Sequence, residues 1–185
     1  MLCLACHLPA RSALCPRCRA DLRPAPERIV GDGLRVVSAF AHEGPAQSLI
    51  HEVKYRGVVG YADLAAAAIA DRVPPIPLVP VPRVVVRRLR YGVDGALEVA
   101  RALSALTGAP VLRLLGAPIY SRRRAGGDHS APAPAFRLRR PCNGPVVVVD
   151  DVVTTGGTIT AAARALGPTR AVMAVAANSA RKRSV

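Results

Sequence analysis

The stretch that most constrains the fold of this chain spans residues 146–158 and reads VVVVDDVVTTGGT. Its four consecutive valines predict a strand buried on both faces, as in parallel sheets that helices cover on either side. Two acids end this predicted strand, and a small polar loop leads into a helix-favouring run at residues 159–166. Because ligands of such sheets bind outside the carboxyl ends of the strands, the order of these features predicts a binding site. The simpler alternative, a buried strand ending in a solvated turn, leaves that order to coincidence.

The loop after the acids has the composition of a phosphate site. A helix N-terminus presents unpaired N–H groups and the positive end of the helix dipole, and both favour an anion. Glycines let the backbone approach the anion closely, and threonine hydroxyls add donors. The candidate phosphate-binding residues are Thr154, Thr155, Gly156, Gly157 and Thr158. The loop lacks the Gly-Lys-Ser/Thr end of a P-loop, and no G-x-G-x-x-G follows a strand, so the sequence carries neither motif.

The acidic pair, Asp150 and Asp151, is the candidate catalytic element. Carboxylates do not bind a phosphate, because both groups are anions. Their oxygens suit ribose hydroxyls, or Mg²⁺ held directly or through its water shell. The residues alone leave both roles open.

Four cysteines near the N-terminus form the pattern C-x-x-C, a gap of eight residues, then C-x-x-C. They are Cys3, Cys6, Cys15 and Cys18. Four thiolates complete the closed tetrahedral shell of a structural Zn²⁺, whereas a reduced, metal-free redox pair is the alternative. We therefore predict a zinc knuckle over residues 1–25 and a main domain over residues 26–185, with a short linker at Pro24 and Pro26. Four leucines are expected to hold the knuckle to the main domain: Leu4, Leu8, Leu14 and Leu22.

The chain is strongly basic. Its 185 residues carry a formal charge of +14 with an isoelectric point of about 11.1, almost wholly through arginine. This excess favours a polyanionic partner, although a base-composition bias toward arginine codons explains it as well. Aromatic residues make up only 3%, so the stacking platforms of many single-strand binders are largely missing.

No apolar run reaches the roughly 18–20 residues needed to span a bilayer, so we expect no membrane insertion. The first residues lack the basic-then-apolar order of a secretion signal. We therefore expect a cytoplasmic protein.

Two further elements supply candidate cations for a bound phosphate. Residues 76–83 read IPLVPVPR, a strand whose prolines predict a rigid turn at its carboxyl end. Arg83 and Arg88 follow this turn, ahead of a helix predicted over residues 93–106, and this basic loop is either an anion site or a solvated entrance to the helix. Lys54, after an earlier helical pattern, is either a surface residue or a phosphate ligand. Residues 116–143 lose all periodicity, which is typical of either a lid over a reactive sugar phosphate or a basic arm.

Taken together, these features resemble the ComF family of late-competence proteins over nearly the whole chain. The resemblance rests on the cysteine knuckle, on Lys54-Tyr55-Arg56-Gly57, on Val79-Pro80-Val81-Pro82 with Arg88-Leu89-Arg90-Tyr91-Gly92 behind it, and on residues 146–158. The last stretch is similar to the phosphoribosyl pyrophosphate (PRPP) signature of type I phosphoribosyltransferases.

The resemblance implies an α/β fold of the type I phosphoribosyltransferase kind, a parallel sheet flanked by helices, with an added zinc knuckle. It implies that Asp150 and Asp151 face the ribose and its Mg²⁺, that residues 154–158 cradle the 5′-phosphate, and that the turn after Pro82 lies near the pyrophosphate. It also implies a role in DNA uptake.

Two functions are compatible with the sequence. The first is a phosphoribosyltransferase that binds PRPP with Mg²⁺ and transfers the sugar phosphate to an acceptor. No residue stands out as a general base, which fits positional catalysis and also fits binding without turnover. The second, to which the resemblance to the ComF family points, is a non-catalytic module that binds single-stranded DNA or a competence helicase. The acceptor and the oligomeric state are not encoded in any recognisable motif.

Overall fold

A computed structural model describes residues 1–56, 60–85, 92–117, 135–167 and 170–180, and side chains within these ranges except those of residues 53–56. The strands in this part are β1 (Arg28–Val30), β2 (Leu34–Ala41), β3 (Leu78–Pro80), β4 (Leu115–Gly116), β5 (Arg137–Leu138), β6 (Val146–Val153) and β7 (Ala171–Ser179). Five form one sheet in the order β1-β2-β7-β6-β3. Strands β2, β7, β6 and β3 run parallel to one another, whereas the edge strand β1 pairs antiparallel with β2.

Helices cover both faces of this sheet. They are α1 (Pro16–Ala20), α2 (Gly44–Arg56), α3 (Gly60–Ala67), α4 (Gly95–Thr107) and α5 (Gly157–Leu166), with a 3₁₀ turn at Ala70–Arg72. Buried residues of α2, α3 and α4 pack on one face, and α5 packs on the other. The predicted fold, a parallel sheet flanked by helices, is confirmed. The helix predicted from residue 93 begins at Gly95, because Asp94 is still extended.

Strand β6 is the centre of the core. Val147 and Val149 point to the face of α2, α3 and α4, whereas Val146 and Val148 point to the face of α5. Each of the four is at most 1% exposed, and such burial stabilises the fold by roughly 1.5–3 kcal/mol per side chain. The strand does not end at the two acids, where the sequence predicted its end, because pairing with β7 continues beyond them to Val153.

The segment around Pro24 and Pro26 is not a linker, contrary to the prediction. Pro24 bridges to Phe40, and the N–H of Ala25 donates to the carbonyl of Ala39 at 3.3 Å. This pairing continues the antiparallel register of β1 and β2 toward the N-terminus. The division at residue 26 therefore falls inside a paired edge segment, and its status as a domain boundary stays a prediction.

The segment after α4 adds a short extra pairing to the sheet. Val111 forms an isolated parallel bridge to Leu78, and β4 follows at Leu115. Strand β4 pairs with β5, which holds residues 116 and 137 side by side. The predicted lid or basic arm lies mostly in residues 118–134, outside the described part of the chain.

Candidate functional site

The acidic pair lies near the carboxyl end of β6, an inner strand between β7 and β3. Asp150 is 8% exposed, and its Oδ1 accepts a hydrogen bond from the N–H of Asp151 at 2.8 Å. Asp151 is half-buried against the first turn of α4: a Cβ at Gly95 would lie 3.0 Å from its Oδ2. The pair is therefore fixed by tight packing rather than free in solvent.

A third carboxylate, Asp94, stands beside this pair and was not predicted. Its Oδ2 accepts a hydrogen bond from the N–H of Arg83 at 3.3 Å. Burial raises the pKa of Asp94, and the charge of Asp151 raises it further, while Arg83 acts in the opposite direction. The sequence places Asp94 immediately before a helix, a common pattern for an N-cap residue. Its position next to Asp151 depends on the fold and could not be predicted from that pattern.

Residues 154–158 form the turn from β6 into α5. Thr154 is exposed, whereas Thr155, Gly157 and Thr158 are half-buried. Gly156 is the N-cap of α5, and no described side chain caps this helix; the N–H of Gly157 makes only a long contact of 3.5 Å to the Thr155 hydroxyl. The unpaired N–H groups of the first turn are therefore available to an anion.

Gly156 has a structural role besides the predicted one. Its φ is +84°, and a Cβ there would lie 2.5 Å from the Cβ of Val30 in β1. The glycine is therefore required by packing against the edge strand, whether or not an anion binds.

Replacing Gly156 by alanine is expected to lower the free energy of unfolding by about 2–4 kcal/mol, through the left-handed φ and the clash with Val30. Chemical denaturation measures this change. Gly33→Ala is the matched control, because Gly33 has a φ of +92° with nothing within 4 Å of the added Cβ. An equal decrease in the free energy of unfolding in the two variants would show that the clash with Val30 contributes nothing to the effect of Gly156→Ala.

Of the three predicted phosphate-binding cations, the structure describes the side chain of Arg83 only. Arg83 lies just after β3, where its Nη1 donates to the carbonyl of Val93 at 2.7 Å. A cavity of about 40 Å³, room for a few waters, opens beside it, lined by Pro82, Asp94 and Arg113 among others. Lys54 lies in α2, but its side chain is outside the described part, and so is Arg88. The structure therefore brings Arg83, Asp94 and the acidic pair together at the carboxyl ends of β3 and β6.

The four cysteines form one cluster whose ligand sulfurs all lie within 4.8 Å of one another. Sulfurs of Cys6 and Cys15 are 3.8 Å apart, the spacing that Zn–S bonds of about 2.3 Å produce in a tetrahedron. Burial raises the pKa of Cys3, but N–H groups, foremost that of Cys15, more than offset this and lower it to about 6. Burial and the neighbouring thiols raise the pKa of Cys18. The donor set fits a structural zinc.

The cysteine cluster is joined to the main core. Cys3, Cys18 and Leu14 are buried in the same hydrophobic cluster as the helices on that face, and Leu4 and Leu22 pack against it. The expected contact of Leu8 is wrong, because this side chain is 61% exposed.

A buried polar network at the ends of β2 and β7 was also not predicted. The Tyr61 hydroxyl donates to Oδ1 of Asn178, whose Nδ2 hydrogen-bonds Nδ1 of His42 at 2.9 Å and donates to the carbonyl of Ala46 at 3.0 Å. Burial raises the pKa of Tyr61, so the hydroxyl stays a neutral donor. The network stabilises the carboxyl ends of β2 and β7, next to the acids. The local sequence around Asn178 contains no pattern that predicts it.

Within the described ranges, no helix is both long and apolar enough to cross a membrane.

Comparison with known proteins identifies the domain. Residues 53–184, well over half of the chain, match the family model of the phosphoribosyl transferase domain. A solved structure of purine phosphoribosyltransferase from Pyrococcus horikoshii Ot3 is 17% identical and covers 68% of this chain and 83% of its own, with a TM-score of 0.37. No curated protein matches the sequence. The family match, with the parallel sheet and the acid-then-loop arrangement at its edge, shows that the chain belongs to the phosphoribosyl transferase domain family.

Proposed function

We propose that this protein is a ComF-type phosphoribosyltransferase that binds PRPP with Mg²⁺ at the carboxyl end of β6. One observation carries the proposal. The acidic pair and the uncapped start of α5 lie next to each other at one sheet edge, in a chain of the phosphoribosyl transferase domain family. A ribose phosphate needs both kinds of group: hydroxyl acceptors for the sugar and donors for the phosphate.

In this proposal each part of the site has a separate role. The N–H groups and hydroxyls of residues 154–158 hold the 5′-phosphate, and Asp150 and Asp151 accept hydrogen bonds from the ribose hydroxyls. The same carboxylates are the hard oxygen donors that Mg²⁺ prefers, and the ion would neutralise charge on the pyrophosphate. Arg83, Arg88 and Lys54 add positive charge around the leaving group.

The reaction proposed is a substitution at C1 of the ribose. The bond from C1 to the pyrophosphate oxygen breaks, and a new bond forms from the acceptor nucleophile to C1. Pyrophosphate leaves with the electron pair, and the acceptor releases its proton to solvent. The side chains described accelerate this step by positioning and by charge stabilisation, without an assigned general base.

A second function, binding of DNA or a helicase partner during DNA uptake, is favoured by a basic patch. Four exposed arginines surround β4 and β5, and none forms an ion pair within the described residues: Arg113, Arg137, Arg139 and Arg140. Such a patch binds phosphate backbones in a salt-dependent manner. A role in competence and a cytoplasmic location both belong to this proposal.

The experiment that tests the transferase proposal is a calorimetric titration of the full chain with PRPP in the presence of Mg²⁺. Saturable binding that weakens when Mg²⁺ is chelated is expected, followed by pyrophosphate release when a panel of nucleophilic acceptors is added. The absence of binding at millimolar PRPP would reject the proposal. Binding of single-stranded DNA that falls with salt, without PRPP binding, would favour the second function.

A further inference from the structure

The edge strand β1 lies against the start of α5. Val30 meets Gly156 closely enough to exclude any side chain there, and Gly31, with a φ of +52°, is in equally close contact with Thr160. Side chains alternate along a strand, so Arg28 shares the face of Val30. This face points to the turn that the proposed function assigns to the 5′-phosphate.

The guanidinium of Arg28 is anchored at the end of β7, one strand from that turn. Its Nη1 donates to the hydroxyl of Ser179 at 3.0 Å and to the carbonyl of Ala180 at 2.9 Å. The N–H of Ala180 in turn donates to the carbonyl of Val153 at 2.8 Å, and Thr154 follows directly. The guanidinium of Arg28 is therefore held beside the end of β6, where the turn of residues 154–158 begins.

Among the described residues, Arg28 differs from its neighbours in having no counter-ion. Arg35 on β2 is paired with Glu27 at 2.8 Å, and Arg164 on α5 is paired with Asp32 at 2.8 Å. Arg28 is half-buried, its two bonds go to neutral oxygens, and it forms no ion pair within the described ranges. A guanidinium has five N–H donors, so three of them have no hydrogen-bond partner among the described residues. A partly buried cation that lacks a carboxylate is suited to an anionic ligand.

We propose, on the basis of the proposed ribose phosphate site, that Arg28 binds the 5′-phosphate of the substrate. The N-terminal edge strand, which precedes the residues matched by the family model, is then part of the phosphate site. The helix start supplies N–H donors from one side, and Arg28 supplies a full positive charge from the other.

The test compares Arg28→Gln with Arg35→Gln, which removes an equal charge from the neighbouring strand. The probes are ribose 5-phosphate, which reports on the phosphate loop, and inorganic pyrophosphate with Mg²⁺, which reports on the opposite side of the site. Arg28→Gln is expected to raise the dissociation constant for ribose 5-phosphate about 10- to 100-fold, the range for a hydrogen bond to a charged group. Its affinity for pyrophosphate, and both affinities of Arg35→Gln, are expected to stay within about 2-fold of the wild type.

The outcomes are distinguishable. If the wild type binds ribose 5-phosphate and Arg28→Gln binds it equally well, Arg28 has no such role, although the proposed function stands. If affinity for both probes falls equally, the effect is general and the inference is overturned. If the wild type binds neither probe, the proposed function fails as well. Should Arg28→Gln not fold, Arg28→Lys decides: weaker binding of ribose 5-phosphate alone supports the role, and unchanged binding of both probes overturns it.

Discussion

Disruption of the four-cysteine cluster, the predicted zinc site, is expected to destabilise the whole chain, and Cys18→Ser is the variant that tests this. The sulfurs are close enough to share one zinc, and Cys3, Cys18 and Leu14 belong to the core that covers the sheet. Opening the cluster exposes this part of the core, and uncovering one large buried side chain already costs about 2–5 kcal/mol. We expect the melting temperature to fall by roughly 5–15 °C in Cys18→Ser, and similarly in wild type treated with a strong chelator.

Cys142→Ser is the control for this prediction. Cys142 lies outside the cluster, and its thiol makes only a weak 3.7 Å contact to the carbonyl of Gly144. Its melting temperature should match that of the wild type. A chain purified without stoichiometric zinc, and with a melting temperature that a chelator does not change, would show that the cluster is a reduced thiol group and not a metal site.

Replacement of both acids, Asp150→Asn with Asp151→Asn, is expected to weaken PRPP binding at least about 100-fold, equivalent to about 2.7 kcal/mol. The asparagines keep the size of the side chains but remove the negative charge that would hold Mg²⁺. Calorimetry with PRPP and Mg²⁺ measures the change. The charge-matched control is Asp63→Asn with Asp71→Asn, two exposed acids in the helical layer, whose binding should equal that of the wild type.

The acid variant also separates the two proposed functions. If the basic patch binds DNA, the affinity for single-stranded DNA should be unchanged or higher after the acids lose their charge. Binding of PRPP by the acid variant with wild-type affinity would place the ligand somewhere other than the end of β6.

The features that the sequence predicted are those encoded by adjacent residues. Four valines in a row specify a strand buried on both faces, and the two C-x-x-C pairs predict the four-cysteine cluster that the fold brings together. The turn of residues 154–158 into a helix was predicted for the same reason. In each case the feature is encoded by residues close together in the chain, so their pattern and spacing are sufficient to predict it.

The features that the sequence did not predict depend on contacts between distant parts of the chain. Asp94 joins the acids only because α4 packs beside β6, and Val30 meets Gly156 only because β1 folds back on β2. The strand β6 extends through two acids, against their local preference, because β7 supplies the hydrogen-bond partners. Arg28 belongs to the same class, since its contacts lie about 150 residues away, at Ser179 and Ala180.

The most direct test of the central claim, a phosphate site at the turn from β6 into α5, is a crystal structure of the full chain with PRPP and Mg²⁺. We predict that the 5′-phosphate lies on the N–H groups of residues 154–158, with the ribose hydroxyls hydrogen-bonded to Asp150 and Asp151. A ligand whose phosphate lies away from this turn, with the acids uninvolved, would contradict the account.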